Sequence, residues 1–532
     1  MSLSWGKYNQ GVCMKKSESI NSFALLAAAI AGIVGSGWLL GPLVCARIAG
    51  PASILSWVIA GLLMMVVAAT FVKLSRAIPT VGGTVRFFQM SYGHFAGFSF
   101  SWIAWLAWIA VAPIETMALI QYSTNYLPFL MTKGASPVLT ADGVGVAIAL
   151  LVLINLINSF GVRIFSKVNF VVLAFKIVIP ITTIILLLHG HFKESNLTAA
   201  GGFMPAGWRS VFAALPLAGV IYSFIGFNPA IQMAAEAKNP KRAVPIAIFG
   251  ALSFCIVLYA LIQLAFVGAI PAASLSGGWS KLHFAGDTGP IAGLFMAFGL
   301  TMFVKALYAD AVVSPFGTAM VQAMATSRLT VGMSKNGYFP KGLMHFSKTG
   351  SPIPALVLNM VVGFIFFLPF PSWQRMVGFL VSCLAMGYIV GPMSLMILSR
   401  TQPEKFGEQS VWRTHVLCFI ALYICSLIIY WAGWDVIQKL AIVFALGYVV
   451  LAVMLMVSKR SRETMRELNV VRGFWVIVYM LGLTFISHLS TFGGIKAISF
   501  GYDFLVMLVF TFCIYILANG LAICTQPPSA HA

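Results

Sequence analysis

Charge is what this sequence has least of. Only 9% of its 532 residues are Asp, Glu, Lys or Arg, against about 25% in an ordinary soluble domain. Acidic residues are the scarcer sign, 13 against 33 Lys and Arg, while 60% of the chain is hydrophobic. A soluble globular chain is excluded, and an all-α polytopic membrane protein is expected. Other absences narrow the function. The eight cysteines form no C-x-x-C pair and no zinc-ligand spacing with His, so they read as small apolar packing residues rather than metal or disulfide sites. No G-x-x-x-x-G-K-[ST] stretch supplies a nucleotide-driven engine, and no Cys/His/Asp cluster or nucleophile motif marks an enzyme. No cofactor and no metal are expected.

What is present is a succession of apolar runs, each near the roughly 20 residues that a spanning helix needs. They fall at 20–46, 51–72, 97–127, 143–161, 167–190, 210–235, 243–270, 289–325, 353–370, 375–398, 412–431, 437–458, 473–489 and 504–523, about fourteen spans. The first run is too long for a signal peptide and lacks a small-residue cleavage pattern, so it is expected to be retained. An even count puts both termini on one side. That side then holds twenty-three of the basic residues and the opposite side eight, and cytoplasmic loops carry the excess of Lys and Arg. Both termini are therefore expected in the cytoplasm. The net charge of +20 reads as topology rather than as nucleic-acid binding. The partners expected are the lipid bilayer and a small molecule; nothing fixes an oligomeric state.

Two spans are broken. In the first, Gly35, Ser36 and Gly37 are consecutive, flanked by Gly32 and Gly41; in the sixth, Gly226, Asn228 and Pro229 interrupt the run. A lone glycine in a membrane helix usually serves close helix packing, but proline deletes a backbone donor and displaces the residue before it. Gly37 and Gly226 lie 189 residues apart, and the breaks recur after five spans. An odd-numbered unit repeated once must be inverted, and broken helices at matching places in two inverted halves point to a transporter's substrate site. Unwound backbone is tolerated at membrane depth where it lines a cavity or is buried in protein. The amides of Ser36, Gly37 and Trp38 then suit a carboxylate. The carbonyls from Ala31 to Val34, which include Ile33, and those from Tyr222 to Ile225, which include Phe224, suit an ammonium. Together they fit an amino acid.

"GIVGSGWL" and "GFNPAIQMAAEAKNPKRAVPIAI" resemble the first and sixth spans of the amino acid–polyamine–organocation transporter superfamily. "SRLTVGMSKNGYFPKGLMHFSKTGSPIPALVL" looks like its loop between spans eight and nine. "GSGWL", "PFPSW" and "YWAGW" look most like bacterial aspartate:proton symporters. The resemblance covers about residues 20 to 400. It implies a ten-span inverted-repeat (5+5) core in 1–400 and four further spans in 401–532, in a cell membrane, with the bacterial inner membrane expected. Asn228 stands where the family often has an acid, and Lys73 where it often has a Glu near the end of the second span.

Four charges fall inside spans, where each costs about 2.5–3.5 kcal/mol at the bilayer centre. They are Glu115, Lys176, Lys305 and Asp310. Lys176 sits too deep in "VNFVVLAFKIVIPI" to snorkel easily. The resemblance places it where proton-coupled members have a lysine in place of bound sodium, so it is expected to gain and lose a proton, with Ser314 as a polar neighbour. Glu115 and Asp310 would relay protons or pair with Lys305, although a five-residue interval turns Lys305 and Asp310 roughly 140° apart on a helix. Glu236 would hold the basic "KNPKR" turn. Tyr222 matches the family's gating aromatic. The expected activity is secondary active transport of an amino acid by proton symport with alternating access. The alternatives are an amino acid exchanger without net proton coupling and, from another class, a non-transporting membrane amino-acid sensor. A channel would favour a continuous polar lining, which the sequence lacks.

Overall fold

The computed structural model describes residues 22–78, 83–132, 137–160, 162–227, 230–231, 237–348, 350–406, 411–465 and 468–524. The chain is built from helices, and an isolated antiparallel bridge joins Met131 to Leu139. In chain order the main helices are α1 (Ser22–Ile33), α2 (Gly37–Ala49), α3 (Ser53–Ala77), α4 (Gly83–Ser123), α5 (Ala141–Ser159), α6 (Val162–Gly190) and α7 (Gly207–Leu217). They continue as α8 (Pro240–Ala269), α9 (Pro290–Ala297), α10 (Thr301–Lys335), α11 (Ile353–Phe366), α12 (Trp373–Tyr388) and α13 (Val390–Thr401). The last four are α14 (Val411–Trp431), α15 (Trp434–Val457), α16 (Val470–Leu489) and α17 (Tyr502–Cys524).

Among the described residues, ten helices are long and apolar enough to cross a membrane, and Ile353–Phe366 is a shorter apolar helix. Each run expected to span has a helix on it, but the correspondence is looser than one to one. Gly93, at φ 82°, kinks α4. The eighth run divides between α9 and α10 at Gly299, whose φ is 74°. The tenth divides between α12 and α13. Local chemistry sets several ends. Thr140 caps α5 by accepting from the Gly143 amide at 3.1 Å, and Pro240 opens α8 at a first-turn position that needs no amide.

Three groupings position the site. The helices α1 and α3 lie against α8, while α4 lies between α10 and α12. The helices after residue 410 are not loosely attached: α14 packs on α3, α12 and α13, α15 on α4 and α12, and α16 on α4. Buried aromatic rings fasten that contact, with Trp475 of α16 between Tyr92 and Phe100 of α4, ring centroids 5.4 and 5.9 Å away. Trp102 of α4 donates to the Val443 carbonyl of α15 at 2.9 Å. The five described cysteines that are buried, at 45, 255, 383, 418 and 425, are free thiols, as is exposed Cys513.

Candidate substrate-binding site

The first break is short. Helix α1 ends at Ile33 and α2 begins at Gly37, so Val34, Gly35 and Ser36 are the non-helical link. The sixth-span break is longer and starts earlier than the Gly-Asn-Pro pattern suggests. Helix α7 stops at Leu217, the chain turns through Gly219 at φ 74°, and a 3-10 turn over Tyr222–Phe224 leads to Gly226. The reason is local: Pro216 sits in the last turn of α7, and an L side chain at Gly219 would also crowd Trp373, 2.8 Å away. Asn228, Pro229 and Glu236 lie outside the described residues.

The two breaks touch. A Cβ on Gly226 would fall onto the backbone carbonyl of Gly32, and one on Gly37 would collide with the Ser223 hydroxyl. Glycine at both places answers close approach, of the α1 backbone at Gly226 and of the Ser223 side chain at Gly37. Around the contact, the freed backbone groups are taken up by buried side chains, as unwound backbone at this depth must be. The Ser36 amide donates to the Glu115 carboxylate, 3.2 Å to Oε2 and 3.4 Å to Oε1. The Tyr222 hydroxyl donates to the same carboxylate at 2.5 Å. At Gly35 an added Cβ would stand 2.8 Å from Oε1, so the missing side chain makes the carboxylate's seat.

At the other end of the link, the Lys176 ammonium donates to the Ala31 carbonyl at 2.9 Å and to Thr318 Oγ1 at 2.7 Å. Thr318 in turn donates to the Ser314 carbonyl at 3.1 Å. Tyr259 donates to the Ile33 carbonyl at 3.3 Å, Tyr388 to the Ile225 carbonyl at 2.7 Å, and Trp373 Nε1 to Ser36 Oγ at 3.2 Å. Glu115 and Lys176 are both buried.

The structure therefore brings Ile33, Val34, Gly35, Ser36, Gly37, Tyr222, Ile225 and Gly226 together with Glu115 and Lys176. Phe224 points away, stacked edge-on with Trp57 and Tyr259 behind the break, and the Trp38 side chain is buried in the core. Asp310 and Ser314 are fully buried on α10. Lys305 is exposed, and no ion pair among the described residues includes it. Trp373, Thr318, Tyr259 and Tyr388 were missed by sequence reasoning: each comes from a distant helix, and only Trp373 lay in a noticed motif, "PFPSW".

A further cluster holds the C-terminal end of α2. Arg47 bridges Asp287 at 2.7 Å and donates to the Leu282 carbonyl at 2.8 Å, and His283 meets the same Asp287 oxygen at 2.7 Å.

Comparison with known proteins gives a concordant result. The amino acid permease family pattern matches residues 20–483. The glutamate/serine transporter AimA of Bacillus subtilis is 34% identical over 508 residues, covering 94% of this chain and 93% of that protein. The aspartate-proton symporter of Bacillus subtilis is 29% identical over 507 residues, 94% and 96%. The aromatic amino acid transport protein AroP of Salmonella typhimurium is 24% identical over 393 residues, 71% and 80%. All three relatives are named as transport proteins rather than enzymes. Two interrupted helices in contact, a buried lysine and carboxylate at their open ends, and a family match over most of the length agree: the chain belongs to the amino acid permease family.

Proposed function

We propose that this protein is a proton-coupled symporter for small polar or acidic amino acids, working by alternating access around the two breaks. One observation carries the reading. Charged side chains of the protein itself occupy both ends of the first break: Glu115 sits on the Ser36 amide and Lys176 on the Ala31 carbonyl. These are the places that suit the carboxylate and the ammonium of an amino acid. An amide at the start of α2 favours an anion, and it cannot hold two carboxylates at once. Protonation of Glu115 removes its charge and frees the amide for the substrate, so proton and substrate bind together. Lys176 holds α1 to α10 while charged and lets go when it loses its proton, which favours release to the cytoplasm.

The substrate-binding residues in this reading are Ile33, Val34, Gly35, Ser36, Gly37, Trp38, Tyr222, Phe224, Ile225, Gly226 and Asn228. The first six and Gly226 act through backbone, Tyr222 closes over the site, and Phe224 contributes its carbonyl. Glu115, Lys176, Ser314 and Asp310 are the proton-coupling group. Two relatives, one named for glutamate and serine and one for aspartate and protons, support the substrate class. The reading includes fourteen spans with an inverted 5+5 core in 1–400, four further spans in 401–532, and both termini in the cytoplasm of a bacterial inner membrane. The test is uptake of radiolabelled glutamate, aspartate, serine and phenylalanine into proteoliposomes with and without an inward pH gradient. Gradient-stimulated uptake of the first three is expected. Exchange without gradient stimulation would identify an exchanger, and binding without uptake a sensor.

A further inference from the structure

Helix α10 carries buried polar residues at every fourth position: Asp310, Ser314, Thr318, Gln322, Thr326 and Thr330. Positions four apart are neighbours on a helix surface. The lower members have partners. Thr326 donates to the Trp108 carbonyl at 3.2 Å, Thr330 to Asn359 Oδ1 at 2.9 Å, and Thr318 receives the Lys176 ammonium. The top of the row is different. Both carboxylate oxygens of Asp310 and the Ser314 hydroxyl are buried with no hydrogen-bond partner among the described residues. Three partnerless oxygens within one turn of each other, two of them on an ionisable group, make an expensive arrangement. Among the described residues, Asp310 forms no ion pair that would account for it.

We propose that Asp310 is the proton-loading residue of the transporter, taking a proton from the outer solution and passing it by way of Ser314 to Lys176. This rests on the proton-symport reading and on the topology that goes with it. In that topology α10 enters from outside at Thr301, so Asp310 is the outermost member of the row. Thr318, where Lys176 sits, is eight residues or about 12 Å deeper along the axis. Each step of the row is one turn, a gap that a bridging water closes. The step balances: the Asp310 carboxylic acid gives up a proton and returns to carboxylate, and the neutral Lys176 amine becomes ammonium. Among the described ionisable groups, Lys176 of α6 and Tyr122 of α4 interact electrostatically with Asp310. Above Asp310, the outer ends of α4 and α10 are closed by Asn125, which donates to Tyr308 at 2.5 Å and accepts from Thr288 at 3.1 Å. Tyr122 is tied to the Leu39 carbonyl of α2 at 3.1 Å. Movement of α2 away from α4 therefore breaks the Tyr122–Leu39 bond, which makes loading possible when the site faces outward.

The experiment compares wild type, Asp310→Asn and Asp310→Glu in proteoliposomes, using radiolabelled serine and glutamate. Two rates are read: counterflow at equal pH on both sides, and net uptake driven by an inward pH gradient over a series of external pH values. Counterflow needs no proton reloading. Asp310→Asn is expected to keep counterflow within about twofold and to lose gradient-driven uptake by about a hundredfold, the lower end of what a positioned proton donor contributes. Asp310→Glu should restore uptake, with a displaced external-pH profile. Asp310→Asn that accumulates substrate like wild type overturns the proposal. So does a variant that loses counterflow and uptake together, or failure of Asp310→Glu to recover any gradient-driven uptake. Wild-type uptake indifferent to the gradient refutes the symport reading itself, a result seen before any variant is measured.

Discussion

The contact between the two breaks can be tested with one methyl group. In Gly226→Ala the new Cβ would land on the Gly32 carbonyl and lie 2.5 Å from the Ile33 amide nitrogen. Ordinary van der Waals contact begins near 3.4 Å, so the segments must separate by about 1 Å or more, and the obstacle is backbone that cannot rotate aside. Overpacking of this kind costs about 1–3 kcal/mol of stability, which a membrane protein of this size should survive. Its effect on the site is larger in proportion, since a misplacement of about 1 Å costs roughly a hundredfold in a geometry-dependent step. Gly226→Ala should therefore insert, purify as a single species and melt a few degrees lower, while uptake falls by about two orders of magnitude. Gly145→Ala is the control. That glycine lies inside α5 with open space around its Cβ position, and alanine there should leave transport unchanged and stability higher by about 1 kcal/mol. Wild-type transport by well-expressed Gly226→Ala would show that the two breaks do not meet as described.

Three other outcomes are expected. Glu115→Gln preserves the shape of the carboxylate but removes its titration, so substrate affinity in detergent, read by scintillation proximity, should lose its dependence on pH. Affinity that still strengthens on acidification would remove Glu115 from the coupling. Lys176→Ala should lose stimulation by an inward pH gradient, and Lys176→Arg should exchange substrate without net uptake, because guanidinium stays protonated. Full proton-stimulated uptake by matched Lys176→Ala would make the lysine structural. Single cysteines at Lys281 should react with an impermeant maleimide from outside, and those at Lys335 and Arg462 only after permeabilisation. External labelling at Arg462 would show that the last four spans are miscounted.

The apolar runs and the first break were legible in the sequence because each is a local matter of composition and of consecutive small residues. The sixth-span break was legible in part. Gly226 and Pro229 marked it, but the helix already ends at Leu217, where Pro216 and Gly219 act with the bulk of Trp373 arriving from α12. The free amide expected at Ser36 is real, but a side chain 79 residues away fills it, and no spacing rule connects Ser36 to Glu115. Thr318 was hidden for the same reason: in a helix with many buried hydroxyls, only the approach of Lys176 singles it out. Of the two roles left open for Glu115 and Asp310, pairing with Lys305 is not seen among the described residues, where that side chain is exposed.

The jacket formed by the last helices changes how the bilayer can act on this protein. The segment Trp373–Thr401, which supplies Trp373 and Tyr388 to the site, is almost wholly enclosed, whereas Trp434–Val457 and Tyr502–Ala522 show most of their surface outward. A membrane that thickens or thins deforms or tilts the helices it touches, at fractions of a kcal/mol per Å of mismatch. On α15 and α17 that strain meets none of the site's hydrogen bonds, so the roof over the first break is mechanically insulated from acyl-chain length. A change of lipid should instead be felt through α6, whose outer face is bare and whose Lys176 holds the Ala31 end of the break, before it reaches Ser36.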